Sequence, residues 1–336
     1  MSKQKTFIIA ELSANHNNDF DLAVKTIHAM ADAGADAVKL QTYKPESLTL
    51  NLNTGYFAPR TEGLWKGYTP WDLYSEAAMS YEWQPKLKEI AEGLGLVFLS
   101  SPFDKEGVDF LESINNPIYK IASPEITDIP LIEYAASKGK AMIISTGLAE
   151  IEDIELALET CKKAGNYQIS LLKCTSQYPA TIDQANLKTI PDMKERFGVD
   201  VGVSDHTMGS LVPTVAVSLG ATIVEKHFIL DRKLGGPDSA FSMEPHEFKQ
   251  MVDSVRNAEK ALGSVDYRVS EKDKNRRRSL FVVKNIKARE KITEENVKSI
   301  RPGVGLHPNY LKELPGKRAL KSIKKGTPLN WRLIQK

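Results

Sequence analysis

Two histidines open the chemical reading of this chain. His206 ends the segment Val203-Ser-Asp-His206 and His227 ends Val224-Glu-Lys-His227, so each follows a short apolar run in the same way. If both runs are parallel strands of one barrel, the imidazoles reach the same rim and can hold a divalent metal ion. The bland alternative is a pair of histidines hydrogen-bonded at strand ends. Two nitrogen ligands with open positions suit a divalent metal such as manganese, cobalt, iron or zinc better than calcium. Such an ion polarises a carbonyl or activates water. The neighbouring Asp205 and Glu225 then read as groups that orient the histidines.

A second chemistry lies in two lysines, Lys39 and Lys120, each inside an apolar run. An unpaired ammonium is costly to bury, so something negative should meet each of them. Small hydroxyls follow the other runs, at Ser101, Ser123, Ser145, Ser176 and Ser204. Short donors of this kind surround a phosphate without excluding it. The alternative is that the lysines pair with carboxylates such as Glu11 or Glu225.

The elements that must position these groups are legible in the periodicity. Short β-branched or apolar runs at Thr6–Ala10, Ala37–Leu40, Val97–Leu99, Ile118–Ile121, Ala141–Ile144, Ile169–Leu172, Val201–Val203 and Ile223–Val224 predict eight strands. Between them, apolar residues at three- and four-residue spacing predict helices; Leu22, Ala23, Thr26, Ile27, Met30 and Ala33 form one stripe, capped at Asp19 or Asp21. A last amphipathic stretch runs from Pro245 to Leu262. Eight such units within about 260 residues predict a (β/α)8 barrel. An open doubly wound sheet normally has a Gly-rich first turn, whereas here that turn is Glu11-Leu-Ser-Ala-Asn-His16. The polar residues closing each run form the expected rim: Glu11, Asn15 and His16; Lys39 and Gln41; Ser100 and Ser101; Lys120 and Ser123; Ser145 and Thr146; Thr175, Ser176 and Tyr178; Ser204, Asp205 and His206; Glu225, Lys226 and His227.

The chain has 336 residues, 41% hydrophobic and 26% charged, enough for more than one domain. No run of eighteen apolar residues predicts a membrane span, and nothing at the start reads as a signal peptide. The two cysteines, Cys161 and Cys174, fall in a predicted helix and a predicted strand, which fits a reducing, cytoplasmic setting. Cys174 is read as structural, since no histidine shares its segment. The net charge of +2 hides an asymmetry: from Arg277 onward there are 16 Lys and Arg against 4 Glu, a net +12, leaving −10 before it. The charged stretch Glu271-Lys-Asp-Lys-Asn-Arg-Arg-Arg278 therefore reads as part of a linker, giving a barrel over residues 1–264, a linker over 265–278 and a small domain over 279–336. In that domain Lys284-Asn-Ile286 and Lys321-Ser-Ile323 begin similar stretches, as in a pseudo-symmetric module. Its charge also allows a nucleic-acid binder, but with only Phe281, Tyr310 and Trp331 as aromatics the pattern lends that reading little support, and neither nucleic acid nor membrane is expected as a partner.

The segments Ile9-Ala-Glu11-Leu-Ser-Ala-Asn15-His16, Val38-Lys39-Leu-Gln41-Thr42, Ser101-Pro-Phe103, Tyr119-Lys120-Ile-Ala-Ser123, Ser145-Thr-Gly147, Cys174-Thr-Ser-Gln-Tyr178-Pro, Ser204-Asp-His206-Thr and Glu225-Lys-His227-Phe together resemble the sialic acid synthase family. Ser299-Ile-Arg301-Pro-Gly303 looks like that family's C-terminal antifreeze-like, or SAF, domain of β-clip type. The resemblance implies a barrel followed by that domain, and condensation of phosphoenolpyruvate with an amino-sugar aldehyde. It implies phosphoenolpyruvate contacts from Lys39, Ser101, Lys120, Ser123, Ser145, Ser176, Tyr178 and Ser204, and a metal on His206 and His227. Gln41 and Arg301 would contact the sugar, Glu11 would orient it or move a proton, and Asp238 would serve as a second hydroxyl contact or base. Ser176 departs from the pattern, since many members carry asparagine there. The family also implies a domain-swapped homodimer in which Arg301 serves the partner's site.

Among family members, Gly63-Leu-Trp-Lys-Gly67, Thr69-Pro-Trp-Asp-Leu-Tyr74, Leu234-Gly-Gly-Pro-Asp238 and Arg301-Pro-Gly-Val-Gly-Leu-His-Pro308 look most like those acting on 2,4-diacetamido-2,4,6-trideoxy-L-altrose. N-acetylneuraminate and legionaminic acid synthases, with other acceptors, are the alternative. The aromatic stretch between Tyr43 and Trp83, with Tyr56, Phe57, Trp65, Tyr68, Trp71, Tyr74 and Tyr81, suits a less polar sugar, or else only packs between helices or at a subunit contact. A metal-dependent hydrolase would use the histidines but leave the strand lysines unexplained.

Overall fold

The computed structural model describes residues 5–335, which divide into two compact units at Gly263/Ser264. In the first, eight strands close a parallel barrel: β1 (Phe7–Glu11), β2 (Ala37–Thr42), β3 (Val97–Pro102), β4 (Ile118–Ile121), β5 (Ala141–Ser145), β6 (Ile169–Cys174), β7 (Asp200–Asp205) and β8 (Ile223–His227). β8 returns to β1 in a register that pairs Glu11 with His227. Each expected strand is present, and several run one to three residues further toward the rim than the apolar stretches do. The polar residues that end them are still inside the sheet, because hydrogen bonding to the neighbouring strands continues past the last apolar side chain.

Strand alternation sorts every side chain onto one of two faces. Ile9, Ala37, Leu99, Ile143, Leu172 and Ile223 fill the barrel interior as one apolar layer. Two residues further along their strands come Glu11, Lys39, Ser101, Ser145, Cys174 and Glu225, so the same parity that buries the layer carries polar groups inward above it. The other parity packs Ile8, Val38, Phe98, Ile144, Leu171 and Val224 against the surrounding helices. By that parity Ser100, Asp205 and Lys226 leave the inner ring. Lys226 is fully buried, 2.5 Å from Asp205, and also donates to the Thr207 carbonyl. Asp205 in turn accepts from the Thr207 N–H and hydroxyl, closing a charged clasp between the ends of β7 and β8.

The helices follow the expected stripes. The helix after β1 spans Phe20–Asp32, is capped by Asp19 accepting from the Leu22 N–H, and buries Ala23, Thr26, Ile27 and Met30. The one after β8 spans Pro245–Leu262 and buries Phe248, Met251, Val252 and Val255. The β2-to-β3 connection is long, with a short helix at Pro70–Ala77 before the main crossover helix, Gln84–Gly93.

The second unit has its own core, including Leu280, Val282, Ile286, Val297, Ile323 and Leu329. β9 (Ser279–Val282) pairs antiparallel with β10 (Val297–Ile300). The two isoleucines that match in the internal echo face each other: Ile286 and Ile323 exchange both backbone hydrogen bonds, at 2.9 and 2.8 Å. The expected linker is exposed throughout, but only its first half lacks regular structure. The rest forms a short helix, Glu271–Lys274, and Asn275 accepts from the Gly303 N–H, which ties this segment to the second unit.

Gly202 shows how tightly the barrel interior is filled. A Cβ there would lie 2.5 Å from the Ile223 carbonyl oxygen and 2.7 Å from Leu172 Cδ2. Gly202→Ala should therefore destabilise the barrel by about 1–3 kcal/mol, whereas Gly93→Ala, at an open helix end, should be neutral or slightly stabilising. Urea unfolding of the two variants checks this, and equal midpoints would refute it.

Candidate active site

The rim of the barrel opens into a cavity of about 340 Å³. Its walls include Lys39, Gln41, Lys120, Ser123, Ser145, Cys174, Tyr178, Ser204, His206, Glu225, His227 and Asp238. The strand ends thus bring most of the expected residues to one place.

The floor is a chain of alternating charges. Lys39 Nζ lies 2.9 Å from Glu11 and 3.1 Å from Glu225, and Lys120 Nζ lies 3.8 Å from Glu225. Lys120 also donates to Ser145 at 2.7 Å, and Ser204 donates to Glu225 at 3.1 Å. The alternative reading of the two lysines, partnership with Glu11 and Glu225, is what the structure contains, and both ammonium groups still line the cavity. Burial lowers the Lys39 ammonium to about 8 even though Glu225 acts to raise it. For Glu225 burial acts upward, but Lys120 and Lys39 outweigh it and hold the carboxyl below its usual range. Two ammonium groups thus face two carboxylates, and their formal charges cancel.

The two imidazoles stand side by side, with ring centroids 5.2 Å apart. His206 Nδ1 is 2.9 Å from the Thr175 carbonyl and donates there; burial acts to lower its pKa, but the Cys174 thiol and that carbonyl raise it, so Nε2 offers a lone pair once the ring gives up its second proton, as metal binding requires. His227 is buried, and burial followed by the nearby His206 and lysines drives its pKa well below the ordinary value, so its ring is neutral. Its buried Nδ1 has no hydrogen-bond partner. Among the described residues no cluster of three or more His, Cys, Asp or Glu is close enough to enclose an ion. The donor set thus fits a cation held by two imidazoles and completed by substrate or water: one ring is oriented through its far nitrogen, and the other has an orphaned lone pair.

Asp238 lies 4.0 Å from His227 Nδ1 and is joined to β1 by hydrogen bonds from Ser13 and the Ala14 N–H. Burial raises its pKa, partly offset by those donors. Gln41 donates to Ser13 at 2.9 Å and to Glu11 at 3.2 Å, so one polar thread runs from Asp238 to the charged floor. Ser13 has no signal in periodicity or charge; its place follows from the tight turn after β1, where its φ is positive.

Three expected barrel residues do not line the cavity, the first being Glu11, which is bonded to Lys39 and Gln41 that do. Ser101 is buried in the barrel with its hydroxyl unpartnered, below the cavity wall. Ser176 is not in the wall itself but beside it, its hydroxyl 3.8 Å from the Cys174 thiol and close to Gly147, whose added Cβ would meet that hydroxyl at 2.3 Å. Arg301 is in an exposed turn of the second unit. Of the rim residues, Asn15 ties the β1 turn to the Phe228 carbonyl and Ser242, and His16 packs against Trp83, so both are structural. Cys174, expected as a structural strand residue, has its buried thiol in the cavity wall.

Glu125 was not among the expected residues. It follows Ser123-Pro124 in the loop after β4, lines the cavity, and has a buried Oε2 without a partner. Burial pushes its carboxyl up to about 7. A lone acidic residue in a βα loop carries no periodic signal, which is why only the cavity reveals it. The aromatic stretch divides: Tyr43, Trp65 and Tyr74 join Leu48, Leu73 and Phe103 in the wall, Tyr56 is exposed, and Tyr81 packs on Phe110. Trp65 donates from Nε1 to the Pro237 carbonyl at 2.9 Å, linking the loops after β2 and β8.

Comparison with known proteins places this geometry. Residues 26–267 match the NeuB family and residues 277–335 match the SAF domain. The chain is 46% identical to the pseudaminic acid synthase of Helicobacter pylori, over 96% of each protein. It is 37% identical to the N,N'-diacetyllegionaminic acid synthase of Legionella pneumophila, over 99% of this chain and 96% of that one. A crystal structure of N-acetylneuraminic acid synthetase from Leptospira borgpetersenii superposes with a TM-score of 0.71 at 34% identity, covering 80% of this chain and 89% of the other. The chain is a member of the NeuB family, with a TIM barrel followed by an SAF domain.

Proposed function

We propose that the chain is a pseudaminic acid synthase, joining phosphoenolpyruvate, the open-chain form of 2,4-diacetamido-2,4,6-trideoxy-L-altrose and water to give pseudaminic acid and phosphate. One observation carries the reading: a single cavity has a cationic, hydroxyl-lined side at Lys39, Lys120, Ser123, Ser145 and Ser204 and an aromatic side at Tyr43, Trp65, Tyr74 and Phe103, with His206 and His227 also in its wall. Two unlike substrates fit such a cavity, and the similarity to pseudaminic acid synthases specifies them.

In this reading the lysines and serines hold the phosphoenolpyruvate phosphate and carboxylate. C3 of phosphoenolpyruvate forms a bond to the aldehyde carbon, and the aldehyde oxygen becomes a hydroxyl by taking a proton from Glu125. Water adds to the cationic C2 and returns a proton to Glu125; the C2–O bond to phosphate then breaks and the remaining hydroxyl proton leaves with it, giving hydrogen phosphate and the C2 ketone. Glu11, paired with Lys39, orients the sugar through Gln41, and Asp238 receives one of its hydroxyls. A divalent ion held by His206 and His227, manganese before cobalt, magnesium, iron or zinc, would supply Lewis-acid polarisation of the aldehyde. The proposal includes a cytoplasmic homodimer.

Phosphate release should require both phosphoenolpyruvate and the diacetamido L-sugar, and should be slower with the legionaminic precursor and with N-acetylmannosamine. Equal or better rates with either of these would transfer the function to the corresponding synthase. Chelation should abolish turnover and manganese restore it, while His227→Ala should weaken manganese binding by 10-fold or more, on the order expected for losing one of two protein ligands, as read by titration calorimetry. Unchanged affinity in that variant would remove the metal assignment.

The raised carboxyl of Glu125 predicts a pH profile. Its protonated, proton-donating form is full below about 7 and is lost as pH rises through that value, so kcat/KM should fall on the basic side with an apparent pKa of about 7. Glu125→Gln should lower kcat by roughly 10²–10⁴-fold and abolish that limb. A Gln variant with the original basic limb would assign the titration to another group.

A further inference from the structure

The cavity wall contains three lysine and arginine side chains, Lys39, Lys120 and Arg60. The first two are matched by Glu11 and Glu225. Among the described residues the Arg60 guanidinium has neither a carboxylate in ion-pair range nor a hydrogen-bond partner; it is partly buried and lies over the Trp65 ring at 5.1 Å. That ring is fixed by its bond to the Pro237 carbonyl. The backbone of Arg60 is fixed as well, exchanging hydrogen bonds with Tyr68 and Gly67 at 2.9 and 2.8 Å. A held guanidinium facing a cavity with its five donors unmet is a recognition group in want of an acceptor oxygen.

Its place along the cavity says which oxygen. A row of rings connects Arg60 to the histidines: Trp65 is 5.8 Å from Tyr178, Tyr178 is 4.4 Å from His206, and His206 is 5.2 Å from His227. With the aldehyde at the histidines, the carbon chain of the acceptor runs along Tyr178 toward Trp65. The amide next to the aldehyde stays at the histidine end, and the second amide, on C4, reaches the Arg60 end. A neutral amide carbonyl suits a stacked guanidinium, and the ring faces cover the apolar remainder of the sugar. A hydroxyl at C4 is shorter by the length of the amide and offers no carbonyl oxygen to the guanidinium.

We infer that Arg60, held on Trp65, is a specificity-determining residue that donates to the C4 acetamido carbonyl of the acceptor and so selects diacetamido over monoacetamido sugars. This inference rests on the functional reading above. Its test compares the unaltered chain, R60A and R60K with the diacetamido L-sugar and with N-acetylmannosamine, at varied phosphoenolpyruvate. R60A should lower kcat/KM for the diacetamido sugar about 10- to 100-fold, the factor for one charge-assisted hydrogen bond, and leave the monoacetamido rate and the KM for phosphoenolpyruvate unchanged. R60K, which keeps the charge and loses the planar fork, should fall between. Equal losses with both acceptors, or a raised KM for phosphoenolpyruvate, would overturn the inference while leaving the function intact. Failure of the unaltered chain to use the diacetamido sugar would instead overturn the functional reading, and this inference with it.

Discussion

Four charged side chains buried in the upper barrel, Glu11, Lys39, Lys120 and Glu225, impose the constraint on which the site depends. None tolerates burial alone, so their positions are fixed together: Lys39 between two carboxylates, and Glu225 between two ammonium groups. Apolar residues of similar volume would fill the same space at no loss of stability, so the cluster is poorly explained as a stabilising device. What it provides is a preorganised charged floor, held by parallel strands at the base of the cavity, where electrostatic interactions are stronger than in bulk water.

That floor also places the histidines. Strand parity alternates Glu225 and His227 inward with Lys226 outward, and the Lys226–Asp205 clasp joins β7 and β8 from behind, next to both imidazoles in sequence. The rim is thereby tied on both faces, inside by Glu225 and Ser204 and outside by Asp205 and Lys226. The loops complete the enclosure through side chains distant in sequence: Trp65 on Pro237, Ser13 on Asp238, and Asn17 on Leu234. Rigid strands thus hold the charged side of the cavity, and loops of the same barrel shape the side facing the acceptor.

Much of this was legible from periodicity. Eight apolar runs, with helical stripes between them, specify the barrel, because parallel strands covered on both faces require nearly continuous apolar stretches. The charged lysines stood out against those stretches, and the histidines stood out by following them. Less legible was which partner each polar group meets. Lys39 was open to an anionic ligand or to a carboxylate; it is paired with two carboxylates and still lines the cavity. Ser101 and Ser176 have the same sequence signature as Ser145 and Ser204, yet neither lines the cavity. Whether a strand-end hydroxyl faces the cavity depends on how far its strand extends past the apolar layer and how the next loop turns. Glu125 and Arg60 had no signal at all, being single polar residues in loops.

The sequence by itself determined the order and number of elements, the two faces of each strand, and the set of residue types that must meet at the rim, because alternation and helical spacing are local properties of the chain. Only the tertiary structure decided the pairings within that set: Lys39 between Glu11 and Glu225, Lys226 turned away to Asp205, His227 with an orphaned nitrogen, and Arg60 left facing the cavity on Trp65. Those depend on barrel closure and on contacts between loops distant in sequence, and no local pattern records which distant residue will stand opposite.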